Sequence, residues 1–321
     1  MQQSGKINIL IVGGLFVLAG AGFLFITNTT AFQTAETIGI STAHNPCDPN
    51  TLPMLVALQN GYFAGENINV NLLGATDMKD PAPDVLVTSR GLFYMSEDQH
   101  PDTFKAFNFN LQDESKWNDA ILVRKDSEIT SLGQLKGKII GIVTSASGPI
   151  TPKVEALKAV LEKNGLNPAE FNLRSATEND LHNNAADALY IKEPGLSLSL
   201  SSGRARILIE GPIFAKYVFS PWPMSVSALS TGLIKQRPEV ASKIVEVWDR
   251  SIDFIRENPT KADQILTACV KENFGQDGVI VRQLTHWKSS ETDKNLIQQQ
   301  LQWYYSIGST SKELNVNDIL Y

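Results

Sequence analysis

The sequence predicts an α/β protein of two domains. Its 321 residues, 42% hydrophobic and 19% charged, are enough for two separate cores. From residue 36 onward, short β-branched runs alternate with segments of helical periodicity. The opening segment reads strand, polar loop, helix, strand, an order that implies parallel pairing through a right-handed crossover.

Thr37–Ala43 is the first strand and His44–Thr51 a Pro-containing polar loop. Leu52–Asn60 is a helix with Leu52, Leu55 and Val56 inward and Gly61 at its end, and Ile68–Leu73 alternates as a strand. Asp84–Ser89 is a third strand, Arg90-Gly91 opens a helix over Leu92–Ser96, and Lys105–Asn110 is a fourth strand. Arg90 stands out because a cation at a helix N-terminus opposes the helix dipole, at a cost of about 0.3–1 kcal/mol. Either it is solvated or paired with a structural acid, or it faces a cleft and grips an anionic group.

The stretch Ala120–Gly165 shows the pattern most clearly. Ala120–Arg124 and Ile139–Val143 are strands, and Ser131–Leu135 suits one helical turn. Thr144–Thr151 is a small-residue loop, followed by a helix that Thr151 can cap, Pro152 can open and Gly165 can end. A polar loop at a helix N-terminus, carrying Thr144, Ser145 and Ser147, favours an anion or polar ligand group; most such loops in α/β proteins bind nothing. It is not a phosphate loop of the G-x-x-x-x-G-K-[ST] type. Further on, Phe171–Ser175, a short run within Asn183–Glu193, Ala205–Glu210 and Ser225–Ser230 read as strands. Leu196–Ser202, Pro238–Asn258, Lys261–Glu272 and Leu296–Ile307 read as helices. Ser220-Pro221-Trp222-Pro223 is a stiff turn whose Trp222 either stacks against a ligand or packs in a hinge.

Four segments carry a resemblance. "LPMLVALQNGYFAGENINVNLL", "VRKDSEITSLGQLKGKIIGI", "ADALYIKEPGLSLSLSSGRARIL" and "RPEVASKIVEVWDRSIDFIRENPTKADQIL", in that order, resemble the solute receptors of ABC transporters with a type 2 periplasmic-binding-protein-like fold. They are most similar to the nitrate/sulfonate/taurine and thiamine-pyrimidine-precursor branch. The resemblance covers residues 36–270. It implies two α/β lobes joined by a hinge, lobe I from 36–113 and 220–321 and lobe II from 114–219, with a solute bound in the cleft between them. It further implies that Glu193 matches the acid before proline that lies beside the cleft in those receptors. Glu193 then binds a ligand amine or ring N–H, or pairs with Arg90; the alternative is a solvent-facing residue before a turn. The expected ligand-binding set is His44, Asn45, Thr88, Ser89, Arg90, Thr144, Ser145, Ser147, Glu193 and Trp222. The solute is expected to be small and anionic or polar, and the partners to be an ABC permease and ATPase. No catalytic residues, cofactor or metal are expected. Gly74–Asp84 departs from the family, where a helix of about a dozen residues usually stands. A membrane-tethered sensor that keeps the fold is the alternative, and an enzyme of the pyrimidine-synthase type a remoter one, since the cysteine-rich motif of those enzymes is missing.

The net charge of −6 and the lack of a basic run argue against nucleic acid. His44, His100, His182 and His286 have no metal-ligand spacing. Ile9–Ile26 is an uncharged apolar run preceded by Lys6, expected to remain as an N-terminal hydrophobic helix in the membrane (residues 9–26) with the rest of the chain outside the cytoplasm. Cleavage as a signal near Thr29-Thr30-Ala31 is the alternative. Cys47 lies in a cleft-side loop and Cys269 in a C-terminal helix, so the two are expected not to pair.

Overall fold

The structure is a computed structural model that describes residues 35–42, 47–74, 82–144 and 150–321. The apolar run Ile9–Ile26 and the Gly74–Asp84 segment from 75 to 81 lie outside the described residues. Among the described residues no helix is long and apolar enough to cross a membrane.

The chain opens with β1 (Glu36–Thr42), α1 (Leu52–Gln59), α2 (Tyr62–Gly65), β2 (Ile68–Leu73), β3 (Val85–Ser89), α3 (Arg90–Gln99) and β4 (Phe104–Gln112). It then passes to β5 (Asp119–Arg124), β6 (Ile139–Ile142), α4 (Thr151–Lys163), β7 (Asn172–Ser175), α5 (Glu178–His182), β8 (Ala188–Lys192), α6 (Gly195–Ser201), β9 (Ala205–Glu210) and α7 (Ile213–Tyr217). It returns with β10 (Trp222–Ser230), α8 (Thr231–Gln236), α9 (Pro238–Glu257), α10 (Pro259–Phe274), β11 (Thr285–His286), α11 (Lys294–Ser306) and α12 (Val316–Ile319).

The strands form two sheets, in the orders β11-β4-β10-β3-β1-β2 and β7-β6-β8-β5-β9. In the first, β1 pairs parallel with β2 and β3, and β10 lies antiparallel between β3 and β4. The second repeats the plan, with β6 parallel to β7 and β8, and β5 antiparallel to β8 and β9. Strands that carry apolar residues on both faces are buried throughout: every residue of β10 is buried, as are four of the five in β3. α9 buries the face that the sequence marks, Val240, Ile244, Val247, Ser251 and Ile255. Trp248 on the same face meets Phe63 and Phe107 edge-on, with centroids 5.9 and 5.4 Å away.

Two expectations are corrected. Thr151 is not a cap: Ile150 holds that position without a side-chain bond, and Thr151 is already the first helical residue. Cys47 and Cys269 form a disulfide, with Cα atoms 5.5 Å apart. The reason is tertiary. α10 packs on α1, and Ala262, Ile265, Leu266 and Val270 share one apolar cluster with Cys47, Leu52 and Val56. The sequence marks the inward face of α10 but not the element that it meets.

The two crossings between the sheets touch at Gly211. Asp119, at the end of the first crossing, accepts hydrogen bonds from Ile213 N (3.0 Å) in the second crossing and from Tyr190 Oη (2.8 Å). A Cβ on Gly211 would collide with the Asp119 carbonyl oxygen, and would lie 2.6 Å from Asp119 Oδ1 and 2.9 Å from the Trp117 ring. Backbone atoms cannot yield there, so Gly211→Ala is expected to cost about 2–3 kcal/mol, read as a lower denaturation midpoint with an unchanged m-value. A variant as stable as the parent would show that the crossings have slack.

Candidate functional site

A cleft of about 630 Å³ opens between the sheets, in the size range of small-molecule sites. It lies at the carboxyl ends of the parallel strands, where crossover topology leaves backbone ends and helix starts free to meet a ligand. Asp48 and Asn50 follow β1, Ser89 and Arg90 follow β3, Val143 and Thr144 follow β6, and Lys192 and Glu193 stand at the end of β8; all line the cleft.

Arg90 is the first residue of α3 and is buried. Its guanidinium lies over three aromatic rings: Phe214 (4.8 Å), Trp222 (5.2 Å) and Tyr304 (5.9 Å to each centroid). Nη1 donates to Met224 O (3.2 Å), while Nε is buried with no partner. No acid pairs with Arg90 among the described residues. The aromatic faces hold the cation where the α3 dipole opposes it.

Two lysines join it. Lys153, the third residue of α4, donates Nζ to Val143 O at 2.9 Å. Burial, and then the Arg90 charge, lower its pKa to about 8. Lys192 shares the Phe214 ring with Arg90, its Nζ 5.7 Å from the centroid. Burial first, then Arg90 and Lys153, push its pKa well below the lysine range, against a smaller opposing pull from Asp119 and Asp48. Three basic side chains thus converge on one cleft floor, two of them at helix N-termini.

The acids of the cleft are engaged elsewhere. Glu193 is buried and does not pair with Arg90. Its carboxylate accepts from Ser197 N (3.0 Å), Ser197 Oγ (2.8 Å) and Arg282 Nη1 (3.0 Å), and burial raises its pKa against those bonds. Asp48 accepts from Asn50 N (2.9 Å) and Asn50 Nδ2 (2.6 Å). Glu178, with His182, Ser199 and Phe274, also lines the cleft, and burial raises its pKa.

Of the residues expected from sequence, Ser89, Arg90, Thr144 and Glu193 are brought together. Ser89 spends its hydroxyl as the cap of α3, accepting from Leu92 N at 3.3 Å, and Thr144 Oγ1 lies 3.2 Å from Ser175 Oγ. Thr88 is fully buried beneath the floor. Trp222 is fully buried too; it stacks on Phe214 (4.9 Å) and meets Trp303 edge-on (5.1 Å), so it packs behind Arg90. His44, Asn45, Ser145 and Ser147 lie outside the described residues. Lys153 and Lys192 escaped sequence reasoning. The signal that marks Arg90, a cation just inside a helix start, was equally present in Thr151-Pro152-Lys153. Lys192 was hidden by the acid beside it.

Residues 115–262 match the family model described as NMT1/THI5 like. The matched stretch spans the second sheet and reaches through β10 to α10. The resemblance to the nitrate/sulfonate/taurine and thiamine-pyrimidine-precursor branch is borne out, and with it the two-lobed α/β periplasmic-binding-protein fold. The alkanesulfonate-binding protein SsuA from Xanthomonas axonopodis pv. citri, bound to MOPS, superposes with a TM-score of 0.63 at 13% identity, over 89% of this chain and 98% of that one. A ligand-binding component of an ABC-type import system from Staphylococcus aureus gives 0.67 at 14% identity, over 89% and 96%. A cysteine-to-serine mutant of DszB in complex with biphenyl-2-sulfinic acid gives 0.65 at 18%, over the same shares. No curated protein sequence matches the chain.

Proposed function

We propose that the protein is an extracytoplasmic solute receptor of an ABC importer, and that its solute carries a sulfonate, carboxylate or similar anionic group. The observation that carries the reading is the convergence of Arg90, Lys153 and Lys192 on one cleft floor with no acid bonded to any of them among the described residues. An anion placed there meets three basic side chains and the N-terminal ends of α3 and α4. Similar folds whose names or bound molecules are sulfonates support the class of solute. The lobes close over the solute by bending at the two crossings, and a permease and its ATPase recognise the closed form. An enzyme that uses a cysteine nucleophile has no support in this cleft. The chain's two cysteines are spent on each other.

The test is a melting-temperature panel of small sulfonates, carboxylates, nitrate and aminopyrimidines in a cationic buffer, since sulfonate buffers would compete. A ligand at about 100 times its Kd stabilises by about 2.7 kcal/mol, within easy reach of the measurement. Stabilisation by aminopyrimidines and by no anion would sink the assignment.

A further inference from the structure

Lys192 is the one group of the floor with no hydrogen bond or ion pair among the described residues. Its surroundings are these. Arg90 faces it from α3, Lys153 from α4, Asp119 from β5 and Asp48 from the loop after β1, and the Phe214 ring of α7 lies under it. Asp119 is occupied by Tyr190 Oη and Ile213 N, and Asp48 by Asn50. Tyr190 on its own strand and Tyr304 on α11 are neutral phenols whose pKa values burial raises. Glu193, next in the chain, is turned to Ser197 and Arg282. A third positive charge beside Arg90 and Lys153, without a bonded counter-ion, is unfavourable until something negative arrives.

Resting on the anion-binding reading above, we propose that Lys192 takes up a proton from solvent as the anion enters, so that solute and proton are bound together. The balance is one anion and one proton added to a neutral amine, giving an ammonium–anion pair in the closed cleft. In the empty cleft, burial and two cations hold the Lys192 pKa well down. A bound anion offsets part of the positive charge that Arg90 and Lys153 impose and so raises that pKa toward the lysine range. Between those two values binding takes up a proton, and affinity falls as pH rises, by at most about tenfold per pH unit. Below the empty-cleft value Lys192 is already charged and the dependence vanishes. Lys153, with a pKa of about 8 in the empty cleft, is charged at neutral pH and adds its own uptake only above that.

The experiment is isothermal titration of the protein with ethanesulfonate at about pH 7, in imidazole and in bis-tris, whose ionisation heats differ. The expected result is a buffer-dependent heat equal to the uptake of up to about one proton per anion. Lys192→Arg, charged at every pH used, is expected to bind with no buffer dependence; Lys192→Met is expected to bind at least about tenfold more weakly, also with none. Binding to the parent with no proton uptake overturns the proposal and leaves the receptor reading standing. Uptake that survives in both variants also overturns it, placing the proton on a group other than Lys192. Failure to bind ethanesulfonate or any anion of the panel overturns both.

Discussion

Arg90→Ala is expected to abolish the stabilisation of the protein by the anionic solute proposed above. Truncating one member of a desolvated charge pair costs about 2–5 kcal/mol of binding, which is about 30- to several-thousand-fold in affinity. In the empty protein the same change has opposing effects. It removes a guanidinium packed over Phe214, Trp222 and Tyr304, and it relieves the repulsion that holds Lys153 and Lys192 down. The fold should therefore survive the substitution better than the binding does. Lys153 then provides an internal check, because its pKa should rise above about 8 once Arg90 is gone. Calorimetry of the empty variant, a melting series with the anion and titration of the lysines by NMR together separate these effects. A variant that keeps its anion response refutes the floor as the binding site.

Loss of the disulfide should be the largest single blow to stability. Cys47 and Cys269 are 222 residues apart, and closing so long a loop restricts the unfolded chain strongly, so the cost of losing it belongs near the upper end of about 2–5 kcal/mol. At the size of this chain that lowers the melting temperature by roughly 4–15 °C. Calorimetry of the Cys47→Ser/Cys269→Ser double variant, and of the parent under a reductant, should agree. The effect should also reach the cleft, because Cys47 immediately precedes Asp48, and Asp48 and Asn50 form part of its lining. Two titratable thiols in the oxidised, unfolded parent would contradict the bond. Such a bond suits an oxidising compartment, in keeping with the extracytoplasmic reading.

Much of the fold was legible because its signals are local. β2 and β9 begin and end where alternation and apolar content place them, and the burial of α9 follows its periodicity. α2, α5, α7, α8 and α12 were missed; each is six residues or shorter, too short to show a period. Arg90 was legible as an anomaly, a cation where the helix dipole disfavours one. Its aromatic bed was not, since Phe214, Trp222 and Tyr304 come from three elements that only the fold brings together. The same holds for the partner of Glu193. Arg282 lies in a stretch between α10 and β11 that carries no motif at all.

That stretch bears on the lobe closure proposed above. Residues 276–282 leave the first lobe and fasten to α6 of the second. Ser201 Oγ donates to Gln276 Oε1 (3.0 Å), Ser197 Oγ lies 2.9 Å from Ile280 O, and Arg282, seated 4.6 Å above the Trp117 ring, reaches Glu193. Two covalent crossings alone would permit both a swing and a twist. A third attachment removes freedom from the twist, and it ties any wide swing to the breaking of several polar contacts around a buried carboxylate. Under the closure proposed above, these side chains set a stop to the opening angle, so that the second lobe would swing like a drawbridge on a chain, not like a loose door.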